Sequence, residues 1–132
     1  MTFEHDLDPI IIRYTRREAI SDGVLKDVSE TSEWHEAGFK FPVAMTERVW
    51  RECVQVPPNV PDQDWHGRLW DILWMLKCAI RLSRNDDNLL FFVVHVRNDN
   101  RQGIPPAVKL KCHCGPGDEG EPVLTIMFPD ED

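Results

Sequence analysis

Apolar and polar positions along the chain follow two different periods. From Asp62 to Arg84 the apolar residues recur at helical spacing. Setting each residue about 100° on from the last places Trp65, Leu69, Ile72, Leu73, Leu76 and Ile80 in one sector, with Ala79 at its edge. Trp70, Trp74 and Cys78 carry apolar character round a second side. The spacing predicts a helix over 62–84, roughly 34 Å long at about 1.5 Å per residue. Pro61 breaks what precedes it, Asp62 is the expected N-cap, and Asp64 adds negative charge to the first turn. Asp64 and Arg68, four apart, are spaced to pair. A helix apolar over most of its circumference is buried on more than one side. A sheet is expected on one flank and N-terminal elements on another.

Beyond the helix and a polar turn over 83–88, the period becomes two. Strands are predicted over Leu89–Arg97, Ala107–Cys114 and Pro122–Phe128, joined by a Gly- and Pro-containing loop and the turn Gly115–Gly120. Pairing must place the apolar set of each strand against those of its neighbours. Leu90, Phe92, Val94, Val96, Val108, Leu110, Cys112, Leu124, Ile126 and Phe128 then share the face that meets the helix. The opposite face takes Leu89, Phe91, Val93, His95, Lys109, Lys111, His113, Val123, Thr125 and Met127. That face is half apolar, so it is either covered by N-terminal elements or open as a binding surface.

The N-terminal half is less regular. Pro9–Ile12 reads as a short strand or an apolar plug. Thr15 and Glu18 have capping-box spacing for a short helix over Arg16–Asp22, stopped by Gly23. Val24–Val28 is a brief extended piece, and Ser29 offers an N-cap for a second helix ending at Gly38. Phe39–Met45 crosses back through Pro42. Thr46 caps a third helix with Val49, Trp50, Cys53 and Val54 on its apolar face, and Pro57–Pro61 is a stiff connector. The expected fold is α+β: a three-stranded antiparallel C-terminal sheet packed on one long central helix, with short N-terminal helices. One domain over residues 1–132 is expected, without repeats or low-complexity segments.

At 42% hydrophobic and 29% charged, the chain has the balance of an ordinary globular protein. It shows no signal peptide and no apolar run of the ~20 residues that span a bilayer. Four cysteines without an export signal point to reduced thiols in the cytoplasm. The net charge of −8 is uneven: Asp118, Glu119, Glu121, Asp130, Glu131 and Asp132 supply −6 within the last fifteen residues. Such a field disfavours nucleic acid there and favours a basic partner surface, or serves solubility. The third strand splits these acids into a turn patch and a terminal patch. Exposed charges of this kind set association rate more than stability.

Candidate chemistry is sparse. Cys112-His113-Cys114 resembles a metal triplet, but along a strand the two thiols lie about 7 Å apart and the imidazole points the other way. Core cysteines are the better reading, and no metal or cofactor is expected. His95 and His113 share a face with Lys109 and Lys111 but lack a partnering carboxylate or nucleophile there. The Gly115-Pro116-Gly117 turn lacks the residues of a phosphate loop. Trp70, Lys77, Arg81 and Arg84 form an aromatic-basic strip on the helix, of the composition that binds nucleic acid. No helix-turn-helix, zinc-finger or RNP motif accompanies it.

Three runs stand out as specific: Tyr14–Glu30 (YTRREAISDGVLKDVSE), Gly67–Met75 (GRLWDILWM), and Cys114–Pro122 (CGPGDEGEP) followed by Pro129–Asp132. In that order they resemble a group of small bacterial proteins of unknown function often carried by plasmids, phages and other mobile elements. The resemblance implies a genomic setting and carries over no catalytic residue. The expected role is a non-catalytic interaction protein, an accessory or counter-defence factor whose acidic patches engage a basic surface on a host protein. A nucleic-acid-binding regulator using the helix strip is the alternative.

Overall fold

A computed structural model describes residues 14–60, 63–83 and 88–132. The elements run α1 (Arg16–Ser21), β1 (Leu25–Asp27), α2 (Ser32–Glu36), β2 (Val43–Thr46), α3 (Glu47–Val49), α4 (Trp65–Leu82), β3 (Leu89–His95), β4 (Ala107–Pro116) and β5 (Pro122–Met127). A π-helical turn, Trp50–Val54, continues directly from α3. The Pro9–Ile12 run, the expected breaker Pro61 and N-cap Asp62, and Arg84 lie outside the described residues.

The expected three-stranded antiparallel sheet is corrected by the structure. The sheet is five-stranded and mixed, in the order β1-β2-β5-β4-β3. The β3–β4–β5 meander forms as the alternation predicts, but β2 adds parallel to β5 and β1 antiparallel to β2. Val43, Ala44 and Met45 are wholly buried. A central strand with a parallel neighbour is covered on both faces and shows no alternation. Its pairing partner is also some eighty residues away, so no local signal announces it.

The face parity holds. Phe92, Val94, Val96, Leu110, Cys112, Leu124, Ile126 and Phe128 are buried in one cluster with Leu69, Ile72, Leu73 and Leu76 of α4, and Leu90 and Val108 pack against it. Two residues of the predicted helix sector leave the core: Trp65 and Ile80 are partly exposed. Trp65 instead meets Trp50 of the π-helical turn, at 5.7 Å between ring centroids. Among the described residues no helix is long and apolar enough to cross a membrane.

The caps show how local chemistry sets the boundaries. Thr15 and Glu18 form the full capping box of α1. Asp64, not Asp62, caps α4, its side chain accepting from the Gly67 N–H at 2.8 Å. Thr31 caps α2, while Ser29 is engaged with Asp27 and with the backbone of Val43. Arg68 does not pair with Asp64. It is buried, donating from Nε to Cys53 O at 3.0 Å, from Nη1 to Arg97 O at 3.0 Å, and from Nη2 to Glu52 O and Asn98 Oδ1. Carbonyls in the last turn of a helix lack helical donors. One guanidinium meets two of them and ties the π-helical turn, α4 and the end of β3 together.

Candidate functional site

The outer face of the sheet, away from α4, divides into a roofed half and a bare half. Over β5 the roof is α1. Arg16 donates from Nη1 to Thr125 Oγ1 at 2.7 Å and from Nη2 to Leu124 O at 2.9 Å. The Asp118 carboxylate accepts from the Arg16 and Arg17 backbone N–H groups at 2.8 and 3.0 Å, holding the first turn of α1 against the β4–β5 hairpin. Under this roof Val123 and Met127, both outward-facing by parity, are buried together with Ala19.

Toward the far edge the roof ends. Leu89, Phe91 and Val93 remain 41%, 46% and 43% exposed. Across the ladder they face His113, Lys111 and Lys109. Lys109 Nζ lies 4.8 Å from the Phe91 ring centroid, a cation–π contact on a ring that stays partly exposed. His95 Nδ1 lies 2.9 Å from Pro105 O.

Between roof and bare strands runs an open groove of about 1060 Å³. Ala19, Val24, Leu25, Leu89 and Met127 give it apolar walls. Asp22, Glu47, Glu131 and Asp132 supply four carboxylates, against Arg48 and Lys111. Apolar walls with an excess of carboxylates favour apolar and positively charged groups.

The six acids singled out from the sequence meet different fates. Asp118 anchors α1. Glu121 folds back so that Oε1 accepts from Glu119 N at 3.0 Å. Asp130 takes two hydrogen bonds from Arg48 Nη1, at 2.9 and 3.0 Å, and Arg48 also stacks over Phe128. Glu131 Oε1 accepts from Thr46 Oγ1 and from Phe128 N. Only Glu131 and Asp132 reach the groove. Much of the acidity assigned to docking therefore makes bonds within the fold.

The helix strip is likewise engaged. Lys77 Nζ donates to Gly38 O at 2.9 Å and lies near the Phe39 ring. Trp70 and Trp74 stack on each other at 5.5 Å, with Arg81 over Trp74. Sequence reasoning missed the groove, the anchoring Arg16 and the buried Arg68. The single polar Thr125 within the apolar β5 run is the one hint of the Arg16 contact.

Nucleophile chemistry finds little support. Burial pushes the Cys112 thiol up to about 12 and the Cys53 thiol up to about 11, so both stay protonated at neutral pH. Among the described residues no group of three or more His, Cys, Asp or Glu side chains is arranged to hold a metal ion. No curated protein and no solved structure matches the chain significantly. Residues 2–132 do match a family of unknown function, DUF6573, and the protein belongs to that family.

Proposed function

We propose that this is a non-catalytic interaction protein that holds an apolar, basic segment of a partner protein in the outer-face groove. The observation carrying the reading is the juxtaposition of Val24 and Leu89, both partly exposed, with the carboxylates of Asp22, Glu47 and Asp132 around one open cleft. Apolar contact in such a cleft supplies affinity, while the acidic rim steers a basic partner and raises its association rate. The terminal acidic patch contributes through Glu131 and Asp132; the turn patch contributes by holding the roof that forms one wall. The resemblance to proteins of mobile elements supports a host protein as the partner and an accessory or counter-defence role. The helix strip is the weaker candidate, since the net charge of −8 opposes nucleic acid and the two tryptophans stack on each other.

The reading is tested with the double variant Val24→Arg, Asp132→Arg. Both side chains are exposed, so melting should be unchanged. A partner captured from host lysate by the wild-type chain and measured with purified components should bind the variant at least tenfold more weakly. Equal binding of wild type and variant would remove the groove from the mechanism. Steeply salt-dependent binding of DNA, without any protein partner, would replace the reading with the nucleic-acid one.

A further inference from the structure

We propose that the free edge of β3 is a self-association surface, at which it pairs antiparallel with β3 of a second copy of this chain. The proposal goes beyond the groove: it uses the backbone edge of β3, whereas the groove lies over the outer face and reaches β3 at Leu89.

The two edges of the sheet are built differently. The β1 edge is three residues long and carries Lys26 and Asp27, the charge and shortness that keep an edge from pairing with another chain. The β3 edge is seven residues, Leu-Leu-Phe-Phe-Val-Val-His, with no Lys, Arg, Asp, Glu or Pro. None of the protections expected of an exposed edge is written into it.

The register shows which backbone groups have no partner among the described residues. Cys114 N donates to Asn88 O, and Val96 N to Pro106 O. In an antiparallel ladder hydrogen-bonded pairs alternate with non-bonded ones. Leu90, Phe92 and Val94 therefore direct their N–H and C=O groups to β4, while Leu89, Phe91, Val93 and His95 direct theirs outward. These four are symmetric about Phe92. A two-fold axis through Phe92 places Phe91 opposite Val93 of the second copy and Leu89 opposite its His95. Every outward N–H and C=O of the strand then finds a partner. Both members of each pair lie on the outer face, so the apolar strip of one copy continues into that of the other.

The helix layer fits the same partner. α2 and the segment after it lie against one flank of α4, through His66 with Glu33 and Lys77 with Gly38. The opposite flank carries Arg68, Met75 and Leu82 at seven-residue spacing, and Arg68 reaches Arg97 at the end of β3. α4 lies along β3; on this flank Arg68 is buried against the π-helical turn, while Met75 and Leu82 further along are left exposed. Met75 is 41% and Leu82 80% exposed. At about 1.5 Å per residue, Met75 sits roughly 10 Å from Arg68 and so near the level of Val94, close to the proposed axis. An edge about 23 Å long and roughly 25 Å deep, through sheet and helix, buries on the order of 1,200 Å² in total. That is the lower limit of a stable dimer interface, and since area alone does not set affinity the test spans a wide concentration range.

Antiparallel pairing about an axis perpendicular to the sheet leaves both outer faces pointing the same way. The dimer would present two grooves side by side, and a partner with two suitable segments would gain by avidity.

Sedimentation velocity of the full chain over about 1–500 µM tests the proposal by mass action. The expected result is a rise from the mass of one 15.4 kDa chain toward twice that value. Phe91→Lys and Val93→Lys, each confirmed as folded by circular dichroism, should each raise the dissociation constant at least tenfold. A monomer throughout, or a dimer indifferent to both substitutions, overturns the proposal. Amide exchange of the same full chain gives the independent check. The N–H groups of Leu89, Phe91, Val93 and His95 should gain protection with concentration, while those of Leu90, Phe92 and Val94 stay protected throughout. Concentration-independent protection of the odd set in a monomer would mean that another segment of the chain covers the edge, and it too overturns the proposal.

Discussion

The roofed and bare halves of the outer sheet face differ in fate but hardly in sequence pattern. β5 presents Val123, Thr125 and Met127 outward, and β3 presents Leu89, Phe91 and Val93. One set is buried and the other is partly exposed. Alternation dictates that these side chains share a face, and nothing local dictates whether that face is covered. What decides is a pair of long-range polar contacts, Arg16 to Thr125 and Asp118 to the start of α1, across more than a hundred residues. An apolar residue beneath that roof belongs to folding. One beyond it stays partly exposed to solvent.

The largest effects should separate the halves directly. Met127→Ala removes a buried side chain and should cost about 2–3 kcal/mol, while Val93→Ala on the bare half should cost under about 1 kcal/mol. Chemical denaturation at protein concentrations well below the proposed dimer equilibrium measures both. If the two costs were equal, the division into roof and open face would fail.

A smaller effect is expected where the roof is attached. Asp118→Ala leaves the N–H groups of Arg16 and Arg17 without their acceptor and should cost about 1–2 kcal/mol, the usual range for a lost N-terminal cap. Glu119→Gln on the same turn should change stability by less than about 0.5 kcal/mol. Faster amide exchange confined to α1 and β5 would show that the loss is local detachment of the roof. The view of the turn acids as bystanders to stability therefore does not extend to Asp118.

Much of the fold is written in strong local periods. The core of α4, the three strands of the meander and the sorting of their side chains all follow from runs long enough for periodicity to be unambiguous. β1 and β2 are three and four residues long, too short to show a period, and β2 is buried on both sides. The candidate site was less legible than the fold. Charge counting located the acids but not their bonds, so Asp118, Asp130 and Glu131 read as docking groups although each has a partner within the fold. Arg68 was misplaced for a related reason. A helical wheel assigns a guanidinium to solvent or to a neighbouring carboxylate, whereas here it answers carbonyls exposed by the end of a π-helical turn. The groove depends on the docking of α1, and no residue near it announces its position.

The smallest expected effect concerns the C-terminal side of the roofed half, where Arg48 clasps Asp130. The hydrogen bonds from Arg48 hold the Asp130 carboxyl below the ordinary carboxylate range. A carboxyl whose folded pKa is depressed stabilises the fold above its unfolded pKa, about 3.9 for Asp. That contribution is lost as the pH falls from there through the lower, folded value. Neutral and mildly acidic solutions should therefore show full protection of the clasp. Loosening should begin only below about pH 4. Carbon-detected NMR titration of the Asp130 carboxyl should give a midpoint below those of freely exposed aspartates, and Arg48→Met should return it toward them. Because the pair is exposed to solvent, added salt should weaken the shift as well. Among the described residues no ion pair joins β3 to β4, so Phe91 and Val93 resonances should stay unchanged across the same pH interval. If they moved together with Asp130, the two halves would be coupled, and the terminal acids would be reporting on the recognition face as well as on the fold.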